Sequence, residues 1–375
     1  MAKLGDICDI KSGGTPSRTK QEYWNGNIPW VKISDFTSKY IDKTSEFITD
    51  EGLNNSSAKI VQKGSILFTV FATLGEVAIL NIEATTNQAI AALTINNPEV
   101  NNDYLYYCLT SLKEYVNNIG RGVAQNNINL SILRDMDIPL PPLETQRKIA
   151  ATLDKVTRTI DLCNAILEKL DLLVKARFVE MFGKGNFKTC KLKDVCTKIT
   201  DGTHKTPTYL SEGITFISAK NIVNGKLDFA DVKYISKEEF NEIQKRCQTE
   251  IYDILLSKSG SLGSPTVLRT NEPLGLFESL AIIKYDRSKL LSEFLCEQLK
   301  TDAIQRQFKT GTKGVAIKHL HLNVIGSIDI IVPPIDLQQQ FAAFVAQTDK
   351  SKLAVKKVLE KAETLKKALM QEYFG

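Results

Sequence analysis

Few residues in this chain are spaced as an active site would need. His319 and His321 stand one residue apart and would share one face of a strand. No Cys, Asp or Glu accompanies them at ligand spacing, so packing or a DNA contact fits them better than a metal. Three histidines in all leave little for general acid–base work. Gly260-Ser261-Leu262-Gly263 lacks the G-x-x-x-x-G-K-[ST] order of a phosphate-cradling loop and reads as a turn. Neither a G-x-S-x-G elbow nor an H-E-x-x-H pair occurs. Loops are the better lead. Ser12-Gly13-Gly14-Thr15-Pro16 and Asp201-Gly202-Thr203-His204-Lys205-Thr206-Pro207 form one matched pair. Gly120-Arg121-Gly122-Val123-Ala124-Gln125-Asn126 and Thr310-Gly311-Thr312-Lys313-Gly314-Val315 form another. Glycine lets backbone N–H groups come close to a phosphate, lysine and arginine add charge, and amides suit base edges. A single such loop is an ordinary turn. Two of them, at the same two points of a duplicated chain, argue for a nucleic-acid contact.

These loops need a frame, and the frame is two long helices. Residues 144–183 follow Pro139, Pro141 and Pro142 and carry Ile149, Leu153, Val156, Ile160, Cys163, Leu167, Leu170 and Val174. The steps alternate between four and three, the seam of a coiled coil. At roughly 1.5 Å per residue the rod is on the order of 60 Å long. Residues 338–375 carry the partner seam: Phe341, Phe344, Thr348, Ser351, Val355, Val358, Ala362, Leu365 and Leu369, polar in its middle. Pro141 and Pro333 lie 192 residues apart, as do Gly183 and Gly375.

The repeat runs through the rest of the chain. Lys3-Leu4-Gly5-Asp6-Ile7-Cys8 is echoed by Lys191-Leu192-Lys193-Asp194-Val195-Cys196, and Ile28-Pro29-Trp30-Val31 by Ile214-Thr215-Phe216-Ile217. A period near 190 is a domain duplication rather than a solenoid. Short apolar strands are expected at 65–70, 87–95, 253–257 and 278–285, with helices at 102–118 and 291–309. Asn97-Pro98-Glu99 reads as a turn and Gly183-Lys184-Gly185-Asn186 as a flexible joint. The expected fold class is α/β, meaning β-rich α+β globular domains with two long helices in an antiparallel coiled coil, internally duplicated and pseudo-two-fold. The expected domains are 1–142, 143–187 (central helix and joint), 188–334 and 335–375.

At 375 residues two or three domains are expected, and 43% hydrophobic with 24% charged residues is ordinary for a globular chain. No apolar run reaches 18 residues, and the first residues lack a signal-peptide core, so no membrane span and a cytoplasmic location are expected. Seven scattered cysteines suit reduced thiols better than a disulfide framework. A net charge of +5 permits nucleic-acid binding without arguing for it.

The paired features resemble the sequence-specificity subunit of type I restriction–modification enzymes. The resemblance spans the whole chain. It rests on Ser12-Gly13-Gly14-Thr15-Pro16, Ile28-Pro29-Trp30-Val31-Lys32-Ile33-Ser34-Asp35, Ile138-Pro139-Leu140-Pro141-Pro142-Leu143-Glu144-Thr145-Gln146, Asp201-Gly202-Thr203-His204 and Val332-Pro333-Pro334-Ile335-Asp336-Leu337-Gln338-Gln339-Gln340. Thr145 and Gln339 stand where the family usually has an acidic residue, and Arg121-Gly122-Val123-Ala124 departs from its Gly-Thr-rich loop. The resemblance implies two target-recognition domains, each reading half of a split sequence in double-stranded DNA. It also implies a coiled coil that docks two modification (methyltransferase) subunits, and restriction subunits that join for cleavage. S-adenosylmethionine, ATP and Mg²⁺ are then expected on those partners, with no cofactor, metal or catalytic residue in this chain.

The expected DNA contacts in the first half are Gly13, Thr15, Lys32, Ser34, Arg121, Gln125 and Asn126. Those in the second are Thr203, His204, Lys220, Asn221, Lys258, Thr312, Lys313 and Lys318. Arg121 has a fork that fits a guanine edge or a phosphate. Trp30 and Phe216 occupy equivalent places and read as core rather than stacking platforms. The competing classes are a protein-binding scaffold of duplicated design and a self-sufficient DNA-modifying enzyme. The charged helix faces read as solvated, or as the surface offered to partners.

Overall fold

The structure, a computed structural model, describes residues 1–120, 127–311 and 319–375. Arg121, Gln125, Asn126, Thr312, Lys313 and Lys318 lie outside the described residues. The chain forms two compact units, Met1–Asn164 with Lys357–Gly375, and Ala165–Lys356. Gly183-Lys184-Gly185-Asn186, expected as the joint between repeats, falls inside the second unit. There Phe187 packs 5.9 Å from Phe182, ring to ring.

The first unit is built on a sheet in the spatial order Cys8–Ser12, Ile90–Ile95, Ile66–Thr69, Val77–Leu80 and Tyr40–Ile41. Ile66–Thr69 is buried throughout, so its two faces feed different cores. Ile66 and Phe68 enter one with Tyr104 and Leu105; Leu67 enters another with Val31 and Ile41. A second sheet centres on Trp24–Val31, flanked antiparallel by Glu46–Ile48 and parallel by Thr85–Thr86.

The second unit repeats this plan. Its larger sheet runs Cys196–Asp201, Leu280–Tyr285, Ile254–Ser257 and Pro265–Val267. Ile254 and Leu256 again enter one core and Leu255 the other. Ile214–Ile217 is flanked antiparallel by Lys233–Ile235 and parallel by Leu274–Leu276. The duplication reaches single hydrogen bonds. Lys32 N donates to Asp35 Oδ2 at 3.0 Å, and Ser218 N to Asn221 Oδ1 at 3.0 Å. Trp30 and Phe216 are each buried, as expected of core residues.

The helices expected at 102–118 and 291–309 are each broken once. They run Asn102–Ser111 then Lys113–Gly120, and Ser292–Lys300 then Asp302–Gly311. In the second copy Thr301 turns extended (ψ 149°), and its carbonyl accepts the N–H of Gln305 to start the next helix. In the first, Leu112 stays near the helical region with ψ −3°, so the helix slips rather than stops.

Two 40-residue helices, Leu143–Phe182 and Ile335–Phe374, complete the architecture. In the second unit Asp171 meets Lys352 at 2.6 Å, the Arg177 guanidinium lies 5.8 Å from the Phe344 ring, and Phe178 lies 5.5 Å from Phe341. Rising numbers on one helix meet falling numbers on the other, so the segments are antiparallel. In the first unit, Ile149 and Phe374 pack on one core, and the Phe374 ring is 5.4 Å from Tyr104.

The expected seam of the central helix faces inward: Leu153, Cys163 and Val174 are buried, and Ile149, Val156, Ile160, Leu167 and Leu170 partly so. In the other helix Phe341 and Ala362 are buried, and Phe344, Val355 and Leu369 partly so. Val358 and Leu365 are corrections, each 50% exposed. The inward face passes instead through Val355, Leu359, Ala362, Lys366 and Leu369. A straight helix turns every 3.6 residues and drifts by about 20° per heptad from a strict seven-residue repeat. The polar middle offers nothing to hold the heptad register; Thr348 bonds back to its own helix at Phe344 O, 2.9 Å away.

Each helix is fastened to its head domain by a buried glutamine. Gln146 Nε2 donates to Glu99 O (2.9 Å) and Pro141 O (2.8 Å), while its Oε1 accepts from Asn101 N (2.8 Å). Gln338 Nε2 donates to Lys289 O (2.8 Å) and Pro333 O (2.9 Å), while its Oε1 accepts from Leu291 N (2.9 Å). Among the described residues no helix is long and apolar enough to cross a membrane.

Candidate nucleic-acid interface

In the first unit, the loop after Cys8–Ser12 turns back onto its own sheet. Gly13 N donates to Ile90 O (3.1 Å) and Gly14 N to Thr86 O (2.8 Å). A Cβ on Gly13 would stand 2.2 Å from Asn87 O. Gly13 was expected to let a ligand approach; it lets the chain approach itself, and it is buried. Thr15 bonds the Gln88 side chain, and the Trp30 indole donates to Gly14 O at 2.9 Å.

The loop then carries Arg18 outward. Its guanidinium lies 3.7 Å from the Trp24 ring centroid and 2.6 Å from Glu46 Oε2. Lys32 Nζ reaches the other Glu46 oxygen at 2.7 Å. The bond from Lys32, joined by Arg18, holds the Glu46 carboxyl below its usual range despite partial burial. Ser34 is exposed on the short turn Ile33–Asp35. Arg18 and Glu46 escaped the sequence reading because 27 residues separate them. The nearby Trp24 and Trp30 were the available signal.

The second unit builds a different surface from the equivalent loops. Asp201 ends its strand with a buried carboxylate that contacts Lys258 and Arg246, with His204 Nε2 at 3.3 Å. Glu278 Oε2 lies 3.9 Å from Lys258 Nζ and 3.6 Å from His319 Nε2. The His319 and His321 rings are 5.7 Å apart. Asp201, His204, Arg246, Lys258, His319 and His321 line one open cleft of about 650 Å³. All three histidines of the chain are there. Burial alone would raise the Asp201 carboxyl, but Lys258 and then Arg246 outweigh it and hold the group below its usual range. Burial, followed by the Lys258 charge, pushes the His319 imidazole down.

Two expected contacts are corrected here. Lys258 is 2% exposed and serves as counter-ion to Asp201. Desolvating an ammonium is tolerable only beside such a partner, so it is not a free cation for DNA. Asn221 is buried and caps its own turn, donating to Asp228 O (3.1 Å) and Asp231 O (2.9 Å). Lys220 is exposed, 3.3 Å from Asp231. Thr203 Oγ1 closes a local turn with Lys205. The structure thus unites His204 and Lys258 in the cleft but leaves Lys220 and Asn221 out of its lining. Arg246, at the end of the helix Lys237–Arg246, was not singled out in the sequence. Among the described residues no group of three or more His, Cys, Asp or Glu could hold a metal.

The family described as the type I restriction modification DNA specificity domain matches twice, over residues 1–172 and 184–366. The chain is 28% identical over 373 residues to the type I restriction enzyme MjaIX specificity subunit of Methanocaldococcus jannaschii, covering 92% of this chain and 85% of that one. It is 31% identical over 183 residues to the EcoR124I/EcoR124II specificity subunit of Escherichia coli, covering 46% of this chain and 44% of that one. In structure it resembles the S subunit of a type I restriction–modification system from M. genitalium (TM-score 0.61, 18% identity, 100% of this chain and 95% of that one). It also resembles a chain solved in work on complex assembly and conformational transition of the type I system (TM-score 0.57, 18% identity, covering 100% and 96%). With the specificity domain matched in both halves and the same fold in each, the chain belongs to the type I restriction–modification DNA specificity family.

Proposed function

We propose that this specificity subunit reads a split sequence in double-stranded DNA, one short run per head domain, and carries no catalysis of its own. The observation behind this reading is one scaffold built twice with different side chains on the equivalent loops. Arg18, Trp24, Lys32 and Glu46 equip one copy; Asp201, Arg246 and the three histidines equip the other. Unlike two copies of one surface, two different surfaces suit a target that is not palindromic.

Two modification subunits dock on the long helices, and restriction subunits join for cleavage. Large apolar side chains stand exposed there: Leu162, Leu172, Leu173 and Val179 on one helix, Leu353, Val358 and Leu365 on the other. Such residues on a soluble surface favour a protein partner. Those partners bind S-adenosylmethionine, ATP and Mg²⁺, and the complex works in the cytoplasm. The helices set the unread gap between the two runs, so an insertion of a few residues in one helix changes the gap and leaves both runs intact.

The test is to express the chain with its modification partner and map N6-methyladenine in host DNA. A split motif with a fixed gap is expected, and exchanging residues 1–142 should change one run alone. A continuous motif would overturn the reading. A scaffold that binds only protein would show no salt-sensitive, sequence-dependent DNA binding. An enzyme acting alone would methylate or cleave DNA without partners.

A further inference from the structure

We infer that Arg246 reads a guanine in the run recognised by the second head domain, and that Asp201 holds it in position to do so. The inference rests on the DNA-reading role proposed above and names a residue for it. Asp201 is buried, whereas the Arg246 side chain is 52% exposed at the cleft. One hydrogen of its Nη2 is engaged by the Asp201 carboxylate, with His204 Nε2 3.3 Å away. Its Nη1 makes no hydrogen bond among the described residues, so the Nη1–Nη2 edge, with the second Nη2 hydrogen, is the one that can meet two acceptors. The backbone is held too, since Lys198 Nζ donates to Arg246 O at 2.7 Å. An arginine fixed in this way loses little side-chain freedom on binding, which separates it from the loosely paired Lys220.

The charge of the cleft favours a base over a phosphate. Among the described residues, the carboxylates of Asp201 and Glu278 offset Arg246 and Lys258. These two cations and two carboxylates cancel, so little fixed charge is left to attract an anion. Directed donors remain. Guanine presents two acceptors, N7 and O6, in the major groove, whereas adenine pairs an acceptor with a donor. A guanidinium has donors only, so guanine is the match.

The experiment uses the full chain with its modification partner. Methylation is mapped for wild type, Arg246→Ala and Arg246→Lys, and binding is measured on the mapped site with each guanine of the second run replaced in turn by 7-deazaguanine. The first domain exchange identifies which run is the second. Arg246→Ala should relax one guanine position of that run, with discrimination falling about 5- to 150-fold. One 7-deazaguanine should weaken wild type and leave Arg246→Ala unaffected. Arg246→Lys keeps the charge and the pairing with Asp201 but not the fork, so it should keep overall affinity and lose discrimination. This variant also covers the case in which alanine disturbs folding. Equal weakening on all sequences, or a split motif unchanged in both variants, would refute the assignment while the split reading stands. A continuous wild-type motif would remove the DNA-reading proposal itself, and this inference with it.

Discussion

Ser12 and Asp201 hold equivalent places in the two units, for each faces an alanine across its sheet, Ala91 and Ala281. Val70 and Lys258 are equivalent as well, since Val70 N donates to Ala89 O and Lys258 N to Ser279 O. One copy of the scaffold therefore has a hydroxyl and an isopropyl group where the other has a buried ion pair. The fold does not require the charges. Their presence in the second unit goes with Arg246, which Asp201 restrains from beneath. In the first unit the outward arginine, Arg18, is restrained by stacking on Trp24 and by the partly exposed Glu46. The same end, a fixed guanidinium, is reached through the interior in one copy and across the surface in the other.

The largest effect that can break this comparison comes from Lys258→Val or Asp201→Ser alone. Asp201→Ser leaves the buried Lys258 with only Glu278 at 3.9 Å and should lower stability by about 3–5 kcal/mol in urea unfolding, whereas Lys258→Val leaves Asp201 paired with Arg246 and should cost less. The double variant recreates the first unit's chemistry and should return close to wild type; additive losses would show that the two interiors are not interchangeable. Next come Gln146→Ala and Gln338→Ala. Each removes three hydrogen bonds to mostly half-buried backbone groups, roughly 1–3 kcal/mol in all, and the two losses should match. A clear inequality would mean that the two fastenings differ despite their shared geometry. In the same range, Arg18→Ala should lower base discrimination in the first run by about 1–3 kcal/mol and leave the second run untouched, read by binding to singly altered sites.

The smallest effect is one of pH. Burial and Lys258 make the His319 imidazole hold its proton less tightly in the folded chain than its ordinary value of 6.5. The folded state keeps that advantage above 6.5 and loses it as pH falls through the lower folded value. Wild type should therefore melt earlier at about pH 5.5 than at about pH 7.5, and His319→Gln should flatten the difference. The first unit has no histidine to contribute a counterpart. The Asp201 carboxyl, held below 3.8, acts only in stronger acid, where its contribution is lost as pH falls.

Periodic features were legible in the sequence. The two seams and the offset near 190 residues led to the long helices and the duplication, and Trp30 and Phe216 were placed in the core. Register was harder. Val358 and Leu365 fit a heptad as written, and only the drift of a straight helix turns Leu359 and Lys366 inward in their stead. Burial pulls the Lys366 ammonium below its usual range, against the pull of Asp161. The site was the least legible. Arg18 with Glu46, and Arg246 with Asp201, are joined by folding across gaps that no local pattern marks. Lys258 looked like a free cation because its buried partner lies 57 residues away.

The glutamine fastening has a consequence for how such proteins change. Gln146 and Gln338 grip only main-chain atoms of the head domains and of the proline turn, never a side chain. A main-chain grip is indifferent to which residues supply it. A head domain with an entirely different set of loop residues can be spliced in front of either helix and meet the same three hydrogen bonds. The joint works as a standard coupling, so recombination within this fold can trade whole recognition modules without refitting the helix that receives them.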